Sequence, residues 1–368
     1  MLPEHARGHN RSLVLQTLYK QGAQSRADIS RETGLTRVTI SDLVSDLIDD
    51  GFIIELGQRE AARPGKPATM IDIDRSAFQI IGVDLSDQAL RGAVLDLDGT
   101  ILHRHSVNRA GRVGTDALAA VIELIETLLA MSTAPLLGLG VGSPGIVNNE
   151  GTVLAAPNLG WTALPLQTLL QERFEVPVLV ANDADAAVLA EHSFGGASAD
   201  VMLVKVGAGV GAGLIFGGRP FYGSHFAAGE IGHVVIGTDG GPACACGKNG
   251  CLEAWLSVAR LTAQIEATTG DAAEKAAARE LILREAGRRL GIILAPVVGA
   301  LNLTEIVLSG PTQLLDGPLA TATIETLRKR TMAEFTGDLT LRMTSQAQDD
   351  IVLRGAAVMV LSGQLGVS

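Results

Sequence analysis

The chain has 368 residues, 47% of them hydrophobic, 19% charged and 3% aromatic, with a formal net charge of −11. That length is too great for one small core and predicts two or three compact units, while the composition excludes a mostly disordered chain. The 43 glycines follow no three-residue period, which excludes collagen. No apolar run reaches the roughly 20 residues that cross a bilayer. The first residues, MLPEHARGHNRS, lack the apolar stretch of a secretory signal, so a cytoplasmic location without membrane partners is expected.

Charge is unevenly distributed. Residues 1–41 hold six Lys/Arg against three acids, whereas residues 76–368 hold 19 basic and 29 acidic side chains. A mildly basic head on an acidic body suits a small nucleic-acid-binding module joined to a larger regulatory unit.

In chain order, residues 12–20 predict a short amphipathic helix ending near Gly22. Ser25 is a candidate N-cap for the next helix, and Gly34 a candidate C-cap or turn glycine. A second run starts at Thr36, with apolar residues at Ile40, Leu43, Val44, Leu47 and Ile48, the spacing of one helix face. Two helices joined by a tight Gly-Leu turn form the helix-turn-helix pattern. The second opens with Thr36, Arg37, Thr39 and Ser41, side chains able to bond base edges or phosphates in a major groove. Ser25 and Arg26, at the start of the first, are further candidate DNA contacts. Residues 52–57 and 68–74 read as two strands around a basic Pro-Gly turn that carries Arg63 and Lys66. A hairpin in that place is a wing suited to backbone or minor-groove contact. Operator DNA is therefore the expected partner of residues 1–74.

Beyond residue 75, strands and helices alternate. Residues 79–85 form a buried strand, and 89–102 a hairpin around Asp98-Gly99. Residues 115–131 are a helix, and 136–147 a strand entering a Gly-Pro loop. Residues 177–195 are a strand, a loop at Asn182-Asp183, then a helix. Two apolar strands flank a glycine-rich turn at 201–218, another strand lies at 305–309, and a last helix at about 350–363. This is an α/β body of two lobes. The expected boundaries are 75–187 for the first lobe, completed by 350–368, and 188–349 for the second. The string VLDLDGTIL (94–102) also matches the Asp-x-Asp-Gly-Thr signature of haloacid-dehalogenase-type phosphatases. An Asp-Gly turn in a hairpin needs no catalytic explanation, and no partner lysine or later acidic motif follows at sensible spacing.

The three cysteines, Cys244, Cys246 and Cys251, lie within eight residues. Such an odd, clustered set in a cytoplasmic chain reads as metal ligation rather than as a disulfide framework.

From about residue 10 to the last helix, the chain resembles the ROK family of repressors, open reading frames and kinases. The segments that carry the likeness are GVGSPGIV (140–147), APNLGW (156–161), ANDADAA (181–187), GAGVGAGLIFGG (207–218), AGEIGH (228–233) and CACGKNGCLE (244–253). The resemblance implies an actin-like, ribonuclease-H-like sugar kinase fold behind the winged helix-turn-helix, with a cleft between the lobes. It implies His233, Cys244, Cys246 and Cys251 as a closed Cys3His set for structural Zn2+. It places hexose contacts on Asn158, Asn182, Asp183, Glu230, His233 and Glu253, with Gly145 beside them. Asp183 falls on the general-base position of the family's kinases.

The kinase pattern is broken elsewhere. The first phosphate loop of the kinases reads Asp-x-Gly-Gly-Thr, and this chain has Asp84-Leu85-Ser86-Asp87-Gln88. Two glycines that admit phosphate are missing, and Asp87 would set a carboxylate beside it. The expectation is a regulator of the xylose or N-acetylglucosamine repressor type. It would be a sugar-sensing homodimer or homotetramer, not an enzyme, with no catalytic residue and Asp183 vestigial. The alternatives are an active sugar kinase carrying a DNA-binding head, and a scaffold whose body binds another protein.

Overall fold

Three helices and a small sheet make the amino-terminal head of the computed structural model, which describes residues 3–58, 68–85, 89–237 and 240–367. Helices α1 (Pro3–Gln21), α2 (Arg26–Thr33) and α3 (Arg37–Asp49) are followed by strands β2 (Ile53–Gln58) and β3 (Thr69–Ile73). β3 also pairs with a two-residue strand, β1 (Gln24–Ser25), which closes a three-stranded antiparallel sheet. This is a winged helix. The tip of the wing, with Arg63 and Lys66, lies outside the described residues.

The helix ends follow from their caps. Ser25 and Asp28 form a reciprocal capping box at α2, and Gly34 closes that helix in the left-handed region at φ +72°. Thr36 caps α3 by accepting from the Thr39 backbone N–H at 3.2 Å. Helix α1 starts nine residues earlier than its apolar pattern predicts. Arg7 and Arg11 there form ion pairs with Asp46 and Asp50 at the far end of α3, which gives a polar stretch a reason to be helical.

The first lobe is a five-stranded sheet in the order β11-β7-β4-β5-β6. Its strands are β4 (Gln79–Asp84), β5 (Ala89–Leu95), β6 (Ile101–Asn108), β7 (Leu136–Ser143) and β11 (Val178–Asn182). α4 (Gly114–Met131) and α5 (Leu166–Phe174) cover one face, and a small meander, β8 (Ile146–Val147), β9 (Val153–Ala156) and β10 (Trp161–Leu164), leads off β7. In the β5–β6 turn, Asp96 Oδ1 accepts from the N–H groups of Asp98 and Thr100. The phosphatase-like string is thus a hydrogen-bonded hairpin turn.

The second lobe has a sheet of order β14-β13-β12-β15-β16, from β12 (Val201–Val206), β13 (Val210–Phe216), β14 (Arg219–Pro220), β15 (Glu305–Ser309) and β16 (Thr340–Met343). Around it lie α7 (Leu252–Leu256), α8 (Val258–Glu266), α9 (Ala272–Leu301), α10 (Thr312–Leu315), α11 (Pro318–Arg330) and α12 (Ala333–Thr336).

Two helices join the parts. α6 (Asp183–Phe194) follows β11 without a loop, because Asn182 is itself the N-cap. It runs unbroken through the expected boundary at 187 and packs on β12 and β13. At its far end the fully buried Glu191 accepts from Arg342 of β16 at 2.6 Å. α13 (Ile351–Leu365) lies against α6 and the first-lobe sheet. Its approach is backbone-close: a Cβ added at Gly355 would sit 1.8 Å from the Ala186 carbonyl oxygen, and one at Gly140 would sit 2.1 Å from that of Ala356. The other side of α13 enters the head's own core. Leu353, Ala357, Leu361 and Leu365 share one apolar cluster with Val14, Leu18, Ile40 and Leu47. The head is therefore bonded to the body as well as tethered to it. Tyr19 donates to the Leu97 carbonyl at 3.0 Å, and Phe52 stacks on Phe78 at 4.4 Å.

Candidate functional site

Between the lobes is a cavity of about 170 Å³. The structure brings Gly145, Asn158, Asn182, Asp183, Glu230, His233 and Glu253 onto its wall together. The first four come from the first lobe and the α6 start; Glu230 and His233 come from the segment after β14, and Glu253 from the first turn of α7.

These groups are held differently. Asn182 is largely occupied: its Oδ1 accepts from the N–H groups of Ala184 and Asp185, and its Nδ2 donates to the Gly145 carbonyl at 2.7 Å. It clamps the Pro-Gly loop to the α6 terminus and keeps one N–H to offer. Asn158 sits in a short turn at Pro157–Leu159, where Arg109 grips its carbonyl at 2.7 Å and leaves its side chain exposed. Asp183 Oδ2 accepts from Lys205 Nζ of β12 at 2.7 Å, and both side chains are less than one-fifth exposed. Glu253 Oε2 accepts from the Val210 N–H at 3.1 Å, which fastens α7 to the glycine-rich turn; a side chain at Gly209 would collide with that carboxylate. Burial pushes the Glu230 carboxyl above the usual range, His233 pulls it back, and Asp183 and Glu253 add to the rise.

Next to this wall, the ligand atoms of His233, Cys244, Cys246 and Cys251 all lie within 4.8 Å of one another. Cys244 Sγ is 3.6 Å from His233 Nδ1, and Cys246 Sγ is 3.6 Å from Cys251 Sγ. A tetrahedral zinc with bonds of about 2.3 Å to sulfur needs neighbouring sulfurs roughly 3.8 Å apart, so the set fits. Its chemistry agrees. Without a cation, burial pushes the Cys251 thiol up to about 12, and a divalent ion would supply the charge that deprotonation needs. With Nδ1 toward the thiols, Nε2 is the remaining polar atom of a ring that also borders the cavity.

On the opposite side of Lys205 lies a second, smaller cavity of about 40 Å³, bordered by Asp84, Arg91, Ser309, Gly310 and Asp349. This is the phosphate side by analogy with the first-loop motif. Arg91 approaches Asp349 at 3.4 Å and Asp84 at 4.0 Å. Ser86 and Asp87 lie outside the described residues.

In the head, α3 shows solvent a face of Arg37, Val38, Ser41, Asp42 and Ser45. Thr36 and Thr39 bond each other, hydroxyl to hydroxyl, at 2.9 Å. Arg26 pairs with Glu55 of β2 at 3.0 Å. Ser25 corrects an expectation. It is 5% exposed and its hydroxyl serves the capping box, so it shapes α2 and has no surface to give DNA. Sequence reasoning also passed over Lys205, whose only signal was a lone cation in the apolar run VMLVKV, and Val38, 72% exposed on the solvent face of α3.

Residues 80–362 match the ROK family. The chain belongs to the ROK family. The xylose repressor of Caldicellulosiruptor bescii is 30% identical over 391 aligned positions, covering 97% of this chain and 96% of that protein. Among solved structures, a ROK family transcriptional regulator described as a homologue of the Escherichia coli MLC protein superposes with a TM-score of 0.85 at 26% identity, over 98% of both chains. A ROK family glucokinase from Streptomyces griseus, solved with glucose and AMPPNP, superposes with a TM-score of 0.67 at 25% identity over 76% of this chain and 98% of its own. The regulator likeness thus includes the head, and the kinase likeness spans about three quarters of the chain. This ROK chain contains no helix among its described residues that is long and apolar enough to cross a membrane.

Proposed function

We propose that the protein is a sugar-responsive, DNA-binding transcriptional repressor of carbohydrate genes. The winged head binds an operator through the α3 face that begins at Arg37, with Thr36, Thr39, Ser41 and Arg26 beside it and Arg63 and Lys66 on the wing. One head makes too few contacts for tight specific binding, so the operator is read by a homodimer or homotetramer. The cleft binds a sugar or sugar derivative through Asn158, Asp183, Glu230, His233 and Glu253, with Gly145 and Asn182 shaping its floor. A zinc ion on His233, Cys244, Cys246 and Cys251 is structural: it supplies the charge that holds the thiolates and fixes the His233 ring and the Glu253 helix.

The single observation that carries the reading is the continuous route from cleft to head. Asn182 and Asp183 start α6, α6 meets α13 at Gly355, and α13 completes the core of the helix-turn-helix. A sugar that closes the lobes moves α6 against α13, and operator affinity changes if the two lobe arrangements hold the heads differently. Phosphoryl transfer is not part of this function, because it needs cations placed around the nucleotide, and among the described residues Arg91 and Lys205, which face the phosphate side, are paired with the chain's own carboxylates.

A mobility-shift assay with an operator selected from random duplexes tests the reading. The expected result is a specific complex whose affinity responds to at least one sugar and which Arg37→Ala weakens. Efficient phosphorylation of a hexose by ATP with no specific DNA complex would replace this reading with the kinase one.

A further inference from the structure

Lys205 stands between the two cavities and borders both. On the sugar side its ammonium meets Asp183, with Glu230 and Glu253 on the same wall. On the phosphate side it shares the wall with Arg91, which is held by Asp84 and Asp349. Among the described residues around the two cavities, five carboxylates thus face two basic side chains, and each of these already has a carboxylate partner. A zinc ion on His233 and the three cysteines would add to the negative side of this balance, because three thiolates and a divalent ion sum to one net negative charge.

We propose that the effector is an uncharged carbohydrate, and that Lys205 sets this preference as the internal counter-cation of Asp183. The inference rests on the sugar-binding reading of the cleft and adds the chemical class of the ligand. With Lys205 Nζ on Oδ2 and the Ala184 N–H on Oδ1 at 3.0 Å, the Asp183 carboxylate is fixed in place. It keeps lone pairs for a sugar hydroxyl. A phosphate or carboxylate on the sugar finds no uncommitted ammonium. A phosphomonoester carries about −1.5 to −2 charges at neutral pH, and to capture Lys205 it would have to strip Asp183 of its partner and stand beside Glu230 and Glu253. Like-charge juxtaposition of this kind rejects a ligand that otherwise fits. Lys205 is a positioning residue here, acting on the sugar through Asp183.

Calorimetric titration of the full zinc-loaded chain tests this. The probes are D-xylose, D-glucose, D-mannose and N-acetyl-D-glucosamine, each hexose beside its 6-phosphate and D-glucose also beside D-glucuronate. At least one neutral sugar is expected to bind, with its charged counterpart roughly a hundredfold weaker or without heat. In Lys205→Met the neutral sugar should weaken about tenfold and the charged one should gain nothing, while Lys205→Arg should restore most of the loss. Rescue by arginine separates a counter-ion role from a merely structural one. A phosphorylated or carboxylated sugar that binds as tightly as its parent, with Lys205→Met abolishing that binding, would overturn the proposal and make Lys205 an anion receptor. Heat from none of the probes would remove the sugar reading itself, a failure distinct from a reversed charge preference.

Discussion

On one side of Lys205 the cleft offers polar groups to a guest; on the other it has closed them onto itself. Asn158, Glu230 and Glu253 each keep acceptors or donors beyond those that position them, whereas Arg91 is held by Asp84 and Asp349, and Lys205 itself leans on Asp183. Recognition and transfer make different demands. A sugar needs fixed hydrogen-bond partners of both kinds, while a polyphosphate needs uncommitted positive charge and bare backbone N–H groups. Which side chains pair with which therefore decides which of the two demands a frame of this kind can meet.

The comparison can be broken most severely at the thiol cluster, which is proposed to hold the sugar side together through a bound zinc ion. Cys251→Ser, or exhaustive chelation of the natural chain, should abolish sugar binding, release one zinc per chain and lower stability by about 3 kcal/mol, which is roughly 10 °C in Tm for a unit of this size. Metal analysis and calorimetry check it; a chelated protein with unchanged Tm and sugar affinity would remove zinc from the account.

A subtler test lies behind the cleft, at Asp185. Its carboxyl is 7% exposed and is pushed up to about 8, first by burial and then by Asp183 and Glu230. The folded state therefore keeps a proton that the unfolded chain releases near pH 4, so this group lowers stability progressively as pH rises from about 4 to 8 and adds no further slope above that. Asp185→Asn removes the dependence. Its Tm should exceed that of the natural chain by a margin that is small at pH 5 and largest at pH 8 to 9. A margin independent of pH would show that Asp185 is not the group that titrates.

The smallest effect is expected in the head, where α3 depends on its Thr36 cap. Thr36→Ala should cost about 1 kcal/mol and Thr36→Ser much less, with sugar affinity unaffected in both. Denaturant unfolding gives the first number and calorimetry the second. An equal loss in both variants would mean that the Thr36 methyl matters more than the hydroxyl bond to Thr39.

Much of this was legible in the amino acids, where the physical cause was local. The apolar spacing from Ile40 to Ile48, the cap residues Ser25 and Thr36, and the Cys-x-Cys-x4-Cys run all carry their structure in a few neighbouring positions. The misses came from distant contacts. Helix α1 begins at Pro3 because Arg7 and Arg11 find acids on α3. The expected loop at Asn182-Asp183 is absent because Asn182 caps α6 while holding Gly145, 37 residues away. Ser25 read as a surface hydroxyl until β3 paired over it. Lys205 carries no local signal, since its partner Asp183 is 22 residues away in the chain, at the start of α6.

The central claim is that an occupied cleft is felt at the operator through α6 and α13. Fluorescence anisotropy of a labelled operator, with and without a saturating sugar identified by calorimetry, measures it directly. The account predicts that the sugar changes operator affinity at least fivefold, the lower end of ordinary coupling between two sites, and that Asp183→Asn abolishes the change while binding the operator normally. A sugar that binds the natural chain tightly and leaves operator affinity where it was would contradict it.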